Sequence, residues 1–219
     1  MPTPRAGYRL ADGTKVPGVT TILGRWKDSG GLLQWAFKQG QSGARTLYEE
    51  RDKAADIGTL AHAMVEHRLT GRDPVLALAG QPDDYCAKAR TAYAAFDSWM
   101  AQTQARVISA EEPMVSERYR FGGTPDVVLR MPDGRLALGD VKTSNGIYRD
   151  YLMQVAAYGI LWDETHDEKI SGGFHIMRFS KDAPDFEHRY FAELADAARL
   201  FVLLRVAYDL DLQLKKRCA

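Results

Sequence analysis

Of the ionisable side chains in the run GGTPDVVLRMPDGRLALGDVK, residues 122–142, three could act together: Asp126, Asp140 and Lys142. Two β-rich stretches, 124–131 and 135–142, flank Pro132-Asp133-Gly134, whose Asp-Gly step favours a hairpin turn. Positions 126 and 140 lie equally far from residue 133, so an antiparallel pair turning there makes the two carboxylates cross-strand neighbours. Lys142 lies two residues beyond Asp140 and shares its face. A slip of one residue would separate the trio, so the grouping depends on register. Two adjacent carboxylates on strands rich in Val and Leu repel each other. Burial without partners costs on the order of several kcal/mol per ion or raises a carboxyl pKa. A hard divalent cation removes both penalties, because carboxylate oxygens are what Mg²⁺ or Mn²⁺ prefers. The plain alternative is a salt bridge between Asp126 and Lys142, and a bare D…DxK pattern is common by chance.

The surroundings narrow the choice. The order is Gly122-Gly123-Thr124-Pro125-Asp126, a turn, Gly139-Asp140-Val141-Lys142-Thr143-Ser144, and then Gln154-x₃-Tyr158. An upstream Gly58-x₃-His62 precedes it. Over residues 58–158 this pattern resembles the PD-(D/E)xK nuclease superfamily, in particular its RecB-like exonuclease branch. The resemblance implies an α/β restriction-endonuclease-like core, a mixed sheet of four or five strands flanked by helices. It implies His62, Asp126 and Asp140 as metal ligands, joined by the Val141 carbonyl, with Lys142 as the catalytic lysine. It also implies that Gln154 and Tyr158 support the site from the following helix. The third-motif acid is Asp140, where many relatives carry Glu.

Composition is that of an ordinary folded protein: 219 residues, 45% hydrophobic and 26% charged. Residues 1–219 are expected to form a single nuclease domain. Within it, 1–104 is a mainly helical part carrying His62, and 105–219 holds the core sheet and its helices. No apolar run approaches a membrane span and MPTPRAGYRL lacks a secretory h-region, so a cytoplasmic protein is expected. Two cysteines, Cys86 and Cys218, are too few for a disulfide framework, a zinc cluster or the iron–sulfur cluster some RecB-like nucleases carry. Lys plus Arg and Asp plus Glu both total 29, so the net charge is zero. A nucleic-acid binder more often has a basic excess, although a local positive patch suffices to meet phosphates.

The elements that must position these residues follow from periodicity. Residues 8–23 read as an opening strand or hairpin. The V-T-x-I-L of 19–23 followed by L-x-W-A at 33–36 is similar to the start of RecB-like nucleases, with Trp35 a core residue or a base-stacking one. Residues 44–69 read as a helix with Ile57, Leu60, Ala61, Met64, Val65 and Leu69 as its apolar stripe. Gly58 and His62 share a face, and Glu66, one turn on, is placed to orient the imidazole. His67 reads as a surface residue. After a break at 71–74 and an apolar linker at 74–81, a helix is expected at 83–102, then a strand at 107–117. Glu112 on that strand is the candidate auxiliary metal or water ligand, with Glu111 its near-equal alternative. A helix at 148–164, strands at 173–179 and 186–191, a closing helix at 194–214 and a basic tail, Lys215-Lys216-Arg217, complete the chain.

The function expected is a Mg²⁺- or Mn²⁺-dependent DNA exonuclease in recombination, repair or phage DNA processing. DNA would be its partner, with a single-strand annealing or recombination protein as a further one. Cleavage by water would leave a 5′-phosphate if the family's usual polarity holds. Two other readings use the same core: an endonuclease or nickase, and a non-catalytic nucleic-acid-binding module. No G-x₄-G-K-[ST] helicase motif is present.

Overall fold

The computed structural model describes residues 7–27, 37, 41, 47–144, 146–179 and 186–218. The L-x-W-A segment and Trp35 lie outside these residues. The described chain opens with β1 (Tyr8–Arg9) paired antiparallel to β2 (Lys15–Val16). The strand expected to run on to residue 23 instead becomes a helix, α1 (Val19–Arg25). Val19, Ile22 and Leu23 are its buried residues, an i, i+3, i+4 spacing that overrides the β-branched composition of Val-Thr-Thr-Ile.

Two long helices follow. In α2 (Leu47–Leu69) the expected stripe from Ile57 to Leu69 is buried. In α3 (Asp83–Thr103) the buried residues are Ala89, Ala92, Phe96, Trp99 and Met100. The linker between them is a short 3₁₀ helix, Pro74–Leu78, capped by Asp73, whose side chain accepts from the Val75 N–H. At its end α3 leaves helical geometry through Gln104, in the left-handed region at φ 54°.

The central sheet has five strands: β3 (Arg106–Ala110), β6 (Val127–Arg130), β7 (Leu136–Thr143), β8 (Ile170–Phe179) and β9 (Phe186–Phe191), in that spatial order. Every pairing is antiparallel except β7 with β8. A parallel neighbour needs a crossover, and helix α4 (Arg149–Thr165) supplies it. Helix α5 (Ala195–Arg217) closes the described chain. Helices cover both faces of this mixed α/β sheet. Val127, Leu129, Val141 and Met177 pack with α2 and α3, while Val128, Leu136, Leu138 and Ile176 pack with α4 and the buried side of α5.

The strand expected at 107–117 is broken. Glu111 adopts a left-handed backbone conformation, φ 53°, and Pro113 follows. The residues beyond form β4 (Met114–Ser116), which pairs with β5 (Phe121–Gly123) in a separate small sheet. The Asp133-Gly134 turn forms as expected: Gly134 sits at φ 87° and donates its N–H to the Met131 carbonyl at 2.9 Å.

The N-terminal hairpin is locked to β5 by an absent side chain. A Cβ on Gly122 would lie 2.2 Å from Cγ of Tyr8, well inside van der Waals contact. Gly122→Ala is therefore expected to cost about 1–3 kcal/mol through overpacking, read from the urea midpoint. Tyr8→Ala in the same chain should remove most of that increment. An unchanged midpoint in the single variant would contradict the packing.

Candidate active site

The β6–β7 hairpin aligns Val127 with Gly139 and Arg130 with Leu136. One step further along the same register brings Asp126 to Asp140, at the end of the hairpin remote from the turn. Alternation then sets the faces. Asp126 shares a face with Val128, and Asp140 and Lys142 share one with Leu138, so all three look towards α4. Asp126 is 1% exposed and Asp140 0%.

Their partners are few. One Asp126 oxygen, Oδ2, accepts the Val141 N–H at 2.7 Å. The other, and both oxygens of Asp140, are shut off from solvent without a hydrogen-bond partner. Lys142 Nζ forms an ion pair with Asp140 Oδ2 at 2.5 Å. The ammonium also stands 5.2 Å from the centre of the Tyr151 ring.

Charge and burial compete in this trio. Burial raises the Asp140 pKa to about 6; Lys142 opposes the shift and Asp126 adds to it. The Asp126 carboxyl is likewise pushed up, by burial first, with Lys142 opposing. Burial works against the Lys142 ammonium, but Asp140 and Asp126 outweigh it and hold the lysine above its ordinary value. Lys142 is thus a protonated cation locked beside two acids that cannot all find partners.

His62 arrives from α2, on the other side of the sheet. Its Nε2 lies 2.8 Å from the Val141 carbonyl. Burial and then the Lys142 ammonium push its pKa down to about 4, so the ring is neutral at pH 7. A carbonyl only accepts, so Nε2 carries the proton in this state and donates it. Glu66 does not orient the imidazole: its carboxylate pairs with Arg72 at 2.7 Å. His67 bonds the Asp73 carbonyl at 3.0 Å, a structural contact.

The left-handed turn at residue 111 decides between the two glutamates. Glu111 donates its backbone N–H to the Asp126 carbonyl at 3.3 Å, and its Oε2 is buried without a partner. Burial first, then the charge of Asp126, raises its pKa to about 8. Glu112 points elsewhere, accepting from the Ser109 hydroxyl at 2.5 Å and standing 3.3 Å from His166 Nε2. Of the two glutamates, Glu111 is therefore the one that stands beside Asp126, while Glu112 is engaged by Ser109 and His166. Reading alternate residues as opposite faces presumes an unbroken strand, and the turn at 111 breaks it.

A cavity of about 340 Å³ opens on this cluster, lined by Tyr8, Val19, Thr20, His62, Gly123, Lys142, Gln154 and Tyr158. The crossover helix presents Gln154 and Tyr158, four residues apart, and the Gln154 amide donates to the Tyr158 hydroxyl at 2.9 Å. Burial raises the Tyr158 pKa well above the ordinary phenol value, so the hydroxyl keeps its proton. A Cβ on Gly123 would come within 2.7 Å of the Tyr158 ring, which gives the second glycine of the Gly-Gly pair its purpose. The Tyr8 hydroxyl stands 2.9 Å from Thr124 Oγ1. Tyr8 carries no motif signal in the sequence and only the fold brings it here; Thr124 belongs to the Gly-Gly-Thr-Pro-Asp run, and Tyr151 shares a helix face with Gln154 and Tyr158 by its spacing.

The donor set suits a hard divalent cation. Carboxylate oxygens dominate, three of them buried without hydrogen bonds, beside a backbone carbonyl and one neutral imidazole. Among the described residues no three His, Cys, Asp or Glu side chains converge as a ready-made cage. Lys142 engages Asp140, and His62 spends its proton on the Val141 carbonyl.

No protein-family model matches the chain, and no curated protein matches it either. Among solved structures, a candidate exonuclease from Eubacterium rectale is 13% identical with a TM-score of 0.48; the match covers 67% of this chain and 64% of that one. This chain thus spans just under two thirds of that protein. The alkaline exonuclease LHK-Exo of Laribacter hongkongensis is 13% identical with a TM-score of 0.38, over 75% of this chain and 91% of that one. The same exonuclease in complex with dAMP gives 13% identity, a TM-score of 0.42, and coverage of 75% and 89%. Likenesses this distant set no family, and the chemistry of the site rests on its own geometry. No described helix is long and apolar enough to cross a membrane.

The raised Glu111 pKa gives a pH dependence of known sign. Between the ordinary value of 4.5 and about 8 the folded state holds a proton that the unfolded chain releases. The stability due to neutral Glu111 is complete below that window and lost as pH rises through it. Without metal, wild type should lose thermal stability relative to Glu111→Gln as pH climbs across the window. A difference between the two proteins that does not vary with pH would refute the burial of this acid.

Proposed function

We propose that the chain is a Mg²⁺- or Mn²⁺-dependent deoxyribonuclease that hydrolyses phosphodiester bonds from a DNA end. The observation that carries the reading is the buried pair Asp126 and Asp140, two of whose oxygens have neither a hydrogen bond nor an ion contact, beside a protonated lysine at the foot of a cavity. Asp126, Asp140, His62 and the Val141 carbonyl would hold the cation, with Glu111 as the auxiliary acid. When bound, a divalent cation supplies Lewis-acid polarisation of a phosphodiester and neutralises charge that would repel the nucleophile.

The chain's own groups supply the rest. Lys142, held protonated by its two acids, sets a fixed positive charge at the cavity floor, where phosphoryl oxygens gain negative charge in the transition state. Gln154 and Tyr158 offer an amide and a phenol to orient a phosphate oxygen or the attacking water. Tyr8 and Tyr158 form two walls that limit the bulk water reaching the cluster. In the reaction, water oxygen forms the new P–O bond, the bond from phosphorus to the leaving sugar oxygen breaks, and that oxygen takes up a proton. A cavity of about 340 Å³ has the scale of a small-molecule site, which favours a single chain end over an intact duplex. A role in recombination, repair or phage DNA processing, with a strand-annealing protein as partner, is compatible with this activity.

The test is cleavage of end-labelled linear DNA and closed circular DNA with Mg²⁺, Mn²⁺ or a chelator. Loss of linear DNA alone, requiring metal, is expected, and the label reports end polarity. Asp140→Asn and Lys142→Ala should each lower the rate roughly 10²- to 10³-fold, as loss of one charge-stabilising group does. Cuts in the circle would convert the reading to an endonuclease. Binding with no cleavage in any metal would leave only a nucleic-acid-binding module.

A further inference from the structure

The outer face of α5 is apolar where solvent would select polar residues. The helix is fixed to the body by Phe201, which packs edge-on against Phe121 at 4.8 Å, and by Arg205, whose Nε donates to the Arg120 carbonyl at 3.0 Å. On the opposite side Leu200, Leu203, Ala207, Leu210 and Leu214 follow one another at steps of three, four, three and four residues. That is the spacing of a helix seam packed against a second helix. Leu203 is 65% exposed, Leu210 54% and Leu214 59%, with Val206 beside them also exposed. A contiguous leucine stripe on a helix marks an interaction surface, whereas scattered single leucines do not.

The charges at the two ends of the stripe select the occupant. At the start of the helix, Glu193 and the fully exposed Asp196 are acidic. At the other end, Lys215, Lys216 and Arg217 are basic. We infer that this face binds the same face of a second copy of the chain, the two α5 helices crossing antiparallel about a two-fold axis between Val206 and Ala207. In that register Leu203 meets Leu210 of the second copy, and Asp196 meets Arg217 of the second copy, twice over by symmetry. Opposed helix dipoles favour the same direction. A parallel pair would set the three basic residues of one copy beside those of the other. The inference does not depend on the nuclease reading.

Sedimentation equilibrium of the full chain at micromolar concentrations tests it. Wild type should show twice the mass of one chain. The double variant Leu203→Glu/Leu210→Glu alters side chains that are already exposed in the single chain. It should keep the wild-type circular dichroism spectrum and dissociate at least ~100-fold more readily, as loss of central interface anchors does. Asp196→Arg should weaken the dimer, and Asp196→Arg combined with Arg217→Asp should restore it. That rescue fixes the antiparallel direction independently of how the leucine variant folds. A wild type that stays monomeric throughout, as it would if a different protein covered the stripe, overturns the inference. So does a dimer that survives in the leucine double variant, or a charge exchange that fails to rescue.

Discussion

Two carboxyl groups with almost no access to water stand side by side at one end of a hairpin, and much of the molecule answers to that fact. An isolated buried carboxylate is unfavourable by several kcal/mol or more. The protein meets the cost in part by placing Lys142 against Asp140 and the Val141 N–H against Asp126. The remaining deficit shows in raised carboxyl pKa values and in three oxygens without hydrogen bonds. A fold selected for stability alone would have no reason to keep this arrangement. A site for a cation would, because the same unmet oxygens would become ligands.

The architecture follows from serving that point from several directions. The hairpin sets the two acids across from each other. The parallel pairing of β7 with β8 requires a crossover, and the crossover helix delivers Tyr151, Gln154 and Tyr158 over the same face of the sheet. His62 comes from the opposite layer and reaches the end of β7 through the Val141 carbonyl. Two consecutive glycines in β5 let the Tyr8 and Tyr158 rings approach the backbone closely enough to wall the cavity. The electrostatics are local as well. A chain with zero net charge can still carry a protonated lysine in a cavity, and it is the lysine's surroundings that keep it charged.

Much of this was legible in the sequence because the controlling signals are short-range. The Asp133-Gly134 turn fixes the register, and the register fixes that Asp126 opposes Asp140 with Lys142 on the same face. The helical stripes of α2 and α3 and the one-turn spacing of Gln154 and Tyr158 are equally local. Sequence and structure part where a local signal is overridden. Val19 to Leu23 looks like a strand by composition, yet its apolar residues pack at helical spacing. Glu111 and Glu112 cannot be separated while the strand is assumed continuous, and a left-handed residue is not foreseeable at a glutamate. Glu66 stands one turn from His62, but Arg72 offers a full charge and takes it. The contact of Tyr8 with Thr124 joins residues 116 apart and has no sequence signature at all.

The central claim is that the buried acids form a cation site and are not a salt-bridged pair that happens to lie in a cavity. Calorimetric titration of Mn²⁺ into the metal-free protein, in buffers of differing ionisation enthalpy, addresses it without any assay of activity. Wild type should show a binding event accompanied by proton release, since the acids are partly protonated before the cation enters. Asp126→Asn/Asp140→Asn should lose that event and be at least as resistant to heat as metal-free wild type. Equal binding by both proteins, or no binding by wild type, would contradict that claim.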